Sequence, residues 1–196
     1  MGNAYTRSKQ PELVRRALLD HAAKLAVEQG LAAVTVQAVS DAAGVTKGGF
    51  THHFPSKQAL IDTVFHELLE KLGHDLDRRM EGAPERYGAF TRAYLEAVCD
   101  MDPSERGSPW AARSISMLTD PKLRRLWARW FQDRLDSHEA TDSDVQLTAI
   151  RLAADGVWLA DLIGIAPDKR AELRNHLLQQ IHEQGVERSD GADHPP

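Results

Sequence analysis

The segment Thr46-Lys47-Gly48-Gly49-Phe50-Thr51-His52-His53-Phe54 gathers small, polar and cationic side chains around two aromatic anchors. Phe50 and Phe54, four residues apart, share one face of a helix and would fix it to its neighbours. Thr46, Lys47, Gly49, Thr51 and His53 are then left on the other sides. The major groove of DNA, about 12 Å wide, accepts one helix and is read by groups of this kind. Two adjacent glycines weaken a helix by roughly 1 kcal/mol each relative to alanine. Folding alone does not recover that cost, whereas close approach of backbone to a nucleic acid does.

Other residues offer less. His52 and His53 are helix neighbours that point about 100° apart, which is poor geometry for sharing a metal. His66, Glu70 and His74 are spaced i, i+4, i+8 and read as a solvated helix face. Ser114, Ser116, the histidines and the aspartates have no spacing that assembles a triad, and neither a nucleophile elbow nor a phosphate loop is present. We therefore expect no enzyme, no metal and no cofactor. The single cysteine, Cys99, excludes an internal disulfide and reads as a small buried hydrophobe.

The elements that must position the segment are helices. Apolar residues recur at helical spacing along nearly all 196 residues, and no stretch alternates with period two. The expected fold class is all-α, with about nine helices. A first helix spans about Pro11 to Gly30, with Pro11 in its first turn and Leu13, Ala17, Leu18, Leu25 and Ala26 on one stripe. Thr35 caps a short helix from Val36 to Ala43, Gly44 ends it, and Thr46 to Phe54 follows as a second short helix. Helix, glycine turn and helix make a helix-turn-helix. After Pro55 and the cap Ser56, a long amphipathic helix reaches about Met80. Further helices are expected near 85–100, 108–119, 121–138, 143–164 and 168–185.

Charge agrees with this division. The net charge is -5, yet residues 1–58 hold seven basic and four acidic residues, or +3, and the remainder is -8. The N-terminal part suits a polyanion and the rest does not. With 42% hydrophobic and 27% charged residues the chain reads as globular. No run approaches the ~20 apolar residues of a membrane span, so a cytoplasmic protein without membrane partners is expected.

The run Thr35-Val36-x-x-Val39-Ser40-x-x-Ala43-Gly44-Val45-Thr46-Lys47-Gly48-Gly49-Phe50-Thr51-His52-His53-Phe54-Pro55-Ser56-Lys57-x-x-Leu60 resembles the DNA-binding domain of the TetR/AcrR family of regulators. The resemblance covers about residues 12–61. It implies that Thr35 and Lys57 hold backbone phosphates and that Lys47, Gly48, Gly49 and His52 lie at or near bases and phosphates. Gln37 could reach either. Thr51 stands where the family often has a phosphate-touching tyrosine, and Ser40 stands for a usual alanine. Together with Thr46 and His53, these residues form the expected DNA-binding set.

The resemblance also implies a larger helical domain that senses a ligand and dimerises. Expected boundaries are 1–58 for the DNA-binding domain, 59–187 for the second domain and 188–196 for a disordered tail. The ligand candidates are Phe65, Phe90, Tyr94, Trp110, Trp127, Trp130, Phe131 and Trp158, with Met117 and Arg113. A filled core would contain the same aromatic residues, and both readings stay open. Small residues Ala149, Ala153, Gly156 and Ala160, with Leu173, Leu177 and Ile181 on the last helix, are the expected dimer interface. Asp155-Gly156-Val157-Trp158 also resembles a segment of the family's penultimate helix.

The leading expectation is a homodimeric repressor that binds a palindromic operator in double-stranded DNA and is released by a small-molecule inducer. An activator or ligand-independent regulator of the same fold, or a dimeric module without DNA binding, are the alternatives.

Overall fold

The computed structural model describes residues 4–82, 86–100, 120–163, 165 and 169–192. Within these residues the structure is all-helical. The helices are α1 (Ala4–Gln29), α2 (Val36–Ala42), α3 (Lys47–His53), α4 (Lys57–Met80), α5 (Ala89–Cys99), α6 (Pro121–Ser137), α7 (Glu139–Asp142), α8 (Val145–Ile163) and α9 (Arg170–Ala192), with a 3-10 turn at Leu31–Ala33. The expected helix near 108–119 lies outside the described residues.

Two boundaries differ from expectation. The first helix begins at Ala4, so Pro11 sits inside it. The expected disordered tail is helical as far as Ala192. Arg188 supplies a reason, because it pairs with Asp144 and lays its guanidinium 4.8 Å from the centroid of Tyr87. Two partners for one side chain extend the ordered helix past the last apolar stripe. Residues 193–196 lie outside the described residues.

The chain divides into two compact units. One holds the described residues up to 70 together with 120–127. Its core comprises Leu18, Leu19, Ala22, Ala26, Val34, Val39, Phe50, Phe54, Leu60, Phe65 and Leu123, all buried. Leu13, expected on the inner stripe of α1, is exposed. Arg16 ties α1 to α4 through Glu67 at 2.8 Å and also pairs with Asp20. The first turn of α6 is capped by Asp120, whose Oδ1 accepts from the backbone N–H of Lys122 at 2.7 Å and of Leu123 at 3.3 Å.

The other unit holds the described residues from 71 to 100 and from 128 onward. Its centre is α5, of which Ala89, Phe90, Thr91, Ala93, Tyr94, Leu95 and Val98 are buried. Gly88 starts that helix in the left-handed region (φ 69°). A β-carbon there would lie 2.8 Å from Ile181 and 3.0 Å from Leu147, so glycine is required both for the turn and for close packing.

Because Gly88 lacks a side chain, the N-terminus of α5 is capped from elsewhere. Asp142, 1% exposed, accepts from the N–H of Phe90 at 3.2 Å and of Thr91 at 2.8 Å. It also accepts from the hydroxyls of Thr91 and Thr141 at 2.6 and 2.8 Å. Arg151, 6% exposed, donates to Thr91 Oγ1 at 2.6 Å and to the Asp142 carbonyl at 3.1 Å. At the other end of α5, Arg170 donates to the carbonyls of Val98 and Cys99 and pairs with Asp161 at 2.7 Å. Cation and carbonyl here satisfy a helix C-terminus.

Candidate nucleic-acid interface

Local chemistry builds α2 and α3 residue by residue. Thr35 Oγ1 accepts from the N–H of Ala38 at 3.0 Å, and Thr46 Oγ1 accepts from Gly49 at 3.1 Å. Each threonine is thus an N-cap, and its hydroxyl proton remains available to a phosphate oxygen beside the positive end of a helix. Between them Gly44 takes φ 66°. The N–H of Val45 reaches Ser40 O at 2.9 Å and that of Gly44 reaches Asp41 O at 3.2 Å. This paired closure ends α2 and aims α3 away from it.

Phe50 and Phe54 are 1% and 3% exposed, with ring centroids 6.0 Å apart. They anchor α3 as its spacing predicts. Thr46, Lys47, Gly48, Thr51 and His52 are exposed, and Gly49 and His53 are half-buried. Beside Gly48, only Thr46 Oγ1 lies within 4 Å of where a β-carbon would be, at 3.7 Å. Packing within the chain therefore does not require glycine at that position.

Three expected contacts are already engaged. Gln37, exposed on α2, donates to Asp41 at 2.7 Å. The Thr51 hydroxyl donates to the Lys47 carbonyl at 2.8 Å. Lys57, half-buried, donates to the Leu31 carbonyl at 3.2 Å and ties the start of α4 to the 3-10 turn. Arg15, which sequence reasoning missed, places its guanidinium 5.3 Å from the centre of Phe54. Burial lowers the His53 pKa, and the nearby His52 and Arg15 add to the shift.

The ligand candidates separate between the units. Phe65 is buried in the first, facing an apolar cleft with Ala22, Ala26, Leu31, Val34, Ile61, Val64 and Leu123. Trp127, half-buried, belongs to the same unit. Phe90, Tyr94 and Phe131 meet in the second unit. Phe131 lies edge-on to Phe90 at 5.8 Å and to Tyr94 at 5.3 Å, and Phe90 stacks on His138 at 5.4 Å. Trp130 and Trp158 are half-buried there, and Arg134 sits over the Trp130 ring at 5.8 Å. Trp110, Arg113 and Met117 lie outside the described residues.

The Tyr94 hydroxyl donates to Asp155 Oδ1 at 2.5 Å. Burial drives the Tyr94 pKa well above its ordinary value, with Asp155 adding to the rise. Burial also raises the Asp155 carboxyl, against opposing effects of the Tyr94 hydrogen bond and the Arg151 charge. Neither Asp155 nor His138 stood out as a site residue in the sequence.

Of the dimer candidates, Ala149 and Gly156 are exposed, while Ala153, Ala160 and Leu173 are half-buried. Leu177 and Ile181 are buried within the chain at 7% and 1% exposure, so they are core groups here. The reason is α5, against whose start at Gly88 Ile181 packs. The outward stripe of α8 keeps Ala149 and Gly156 from the expected set and joins them to larger apolar residues. Val145, Leu152, Leu159 and Ile163 are exposed, and with Ala149 and Gly156 they repeat at spacings of four and three residues. That is the pattern of a helix seam.

A family description reading "Bacterial regulatory proteins, tetR family" matches residues 18–64. A second, "Tetracyclin repressor-like, C-terminal domain", matches residues 88–182. The transcriptional repressor KstR2 of Rhodococcus jostii is 45% identical over 163 residues, covering 74% of this chain and 77% of that protein. The regulator BetI of Pseudomonas aeruginosa is 30% identical over 191 residues, covering 87% and 95%. The fold matches the crystal structure of the multidrug binding protein EbrR complexed with malachite green (TM-score 0.68, 20% identity, 84% and 96% covered). It also matches KstR2 of Mycobacterium tuberculosis (TM-score 0.51, 20% identity, 85% and 92% covered).

Proposed function

The chain belongs to the tetR family of bacterial regulatory proteins, and from that premise we propose a cytoplasmic repressor that binds a palindromic operator as a homodimer and is released by a small-molecule effector. The observation that carries the reading is α3. Its aromatic side is buried, and its other faces offer Lys47, Gly48, Thr51 and His52 to solvent between two threonine-capped helix starts. Cation, small residues and threonine-capped helix N-termini suit phosphate and base edges together.

Dimerisation supplies the second reading head. The exposed stripe from Val145 to Ile163 on α8 is the surface we assign to it, because an apolar seam with small residues at alternate turns lets two helices approach closely. The effector enters at the aromatic group of Phe90, Tyr94 and Phe131. KstR2 of Mycobacterium tuberculosis is described as a ketosteroid transcriptional regulator, and the relative of the same name supports an effector of comparable flat, apolar character here.

The test is a fluorescence-anisotropy titration of the purified protein against DNA from its own upstream intergenic region at two salt concentrations. Specific binding that survives competitor DNA is expected, with affinity falling steeply as salt rises. Lys47→Ala should abolish it and leave helical content unchanged. Unaltered affinity in that variant would refute α3 as the reading helix.

A further inference from the structure

We propose that the imidazole of His138 is the hydrogen-bonding handle of the effector site, and that it selects a flat, largely apolar molecule bearing a neutral ketone or hydroxyl. The inference rests on the effector-site reading above and deepens it. His138 stands just before α7 and lies parallel to Phe90, with an interplanar angle of 19°. Its Nε2 is buried and has no hydrogen-bond partner among the described residues. A buried polar nitrogen left without a partner is costly and uncommon, and calls for a physical account.

Folding does not supply that account. The backbone carbonyl of His138 accepts from Thr141 and Asp142, a role that any residue could fill. The stacking on Phe90 could be made by a phenyl ring without an orphan atom. What imidazole adds is one polar atom at the edge of an aromatic wall formed by Phe90, Tyr94 and Phe131.

Charge on neighbouring elements narrows the ligand. Asp155 on α8 already receives the Tyr94 hydroxyl, and Arg151 is committed to Thr91, Thr148 and Asp142. These charged groups are engaged within the chain, so none of them is offered to an ionic ligand. An imidazole nitrogen can donate or accept at Nε2, which suits a ketone or a hydroxyl respectively.

The test uses the full-length protein with androst-4-ene-3,17-dione as a flat, apolar dione and 5α-androstane, delivered from cyclodextrin, as its hydrocarbon counterpart. Binding is read by tryptophan fluorescence and apo stability by thermal melting. For His138→Phe the expected results are a higher melting temperature without ligand, at least tenfold weaker binding of the dione and unchanged binding of the hydrocarbon. A lower melting temperature with unchanged dione affinity would overturn the inference and assign Nε2 to a structural water. Loss of dione binding in Phe131→Ala but not in His138→Phe would remove His138 and leave the effector site standing. Dione binding that neither substitution alters would remove the effector site itself. No binding of the dione to the unsubstituted protein would overturn the ligand class.

Discussion

Replacing Asp142 by alanine tests how the second unit is held together. The substitution leaves the buried N–H groups of Phe90 and Thr91 without their acceptor and takes the same acceptor from the hydroxyls of Thr91 and Thr141. It also removes the carboxylate 3.8 Å from the buried Arg151 guanidinium. Loss of a helix cap costs about 1 kcal/mol, and breaking a buried ion pair from one side costs roughly 3–5 kcal/mol because the remaining charge is stranded. The two overlap, so about 3–5 kcal/mol is expected for Asp142→Ala, a large share of the roughly 5–15 kcal/mol that stabilises a typical domain. Guanidinium denaturation at fixed protein concentration, followed by circular dichroism, measures it. Asp142→Ala/Arg151→Met should recover part of the loss, since the second change removes the stranded charge. A single-variant cost under about 1 kcal/mol, or a double variant no more stable than Asp142→Ala, would refute the reasoning.

Four shorter predictions follow from other features. Gly48→Ala would place its β-carbon in ordinary contact with Thr46 Oγ1 and clash with nothing, so it should stabilise α3 by up to about 1 kcal/mol yet weaken DNA binding severalfold; a stabilised variant with unaltered DNA affinity would show that backbone approach at Gly48 is not used. Leu152→Glu, at a position 65% exposed, should give a folded monomer in sedimentation, whereas Leu177→Glu should unfold the chain; a dimeric Leu152→Glu would remove the α8 seam from the interface. Ser40 carries a buried hydroxyl without a partner among the described residues, so Ser40→Ala should raise stability by about 1 kcal/mol in a thermal melt. Burial raises the folded-state pKa of Asp155 above its ordinary value, so ionisation disfavours the folded state as pH climbs through that pKa. Asp155→Asn, which can still accept from Tyr94, should therefore gain stability relative to the parent on going from pH 3 to pH 7; a difference that stays flat or falls with pH would contradict the burial argument.

The helix-turn-helix was legible along the chain because its determinants are local. A threonine followed by a helix-forming run, a glycine that alone takes φ 66° at ease, and two phenylalanines four apart act within a few residues of one another. Their outcome hardly depends on distant segments. The order of helices was legible for the same reason, through periodicity and proline or glycine breaks.

What periodicity could not decide was which apolar face of a helix is spent inside the chain. Leu177 and Ile181 form a stripe that fits an interface as well as a core; both are buried within the chain, Ile181 beside Gly88. On α8 the outward stripe runs through Leu152 and Leu159 together with Ala149 and Gly156, while Ala153 and Ala160 are half-buried. Asp142, Arg151, Asp155 and His138 lie some fifty or sixty residues from the groups they cap, pair with or stack on. Nothing in spacing marks such partners, because their positions are set by the packing of α5 against α7 and α8. A hydrogen bond becomes visible only when both of its ends have been placed.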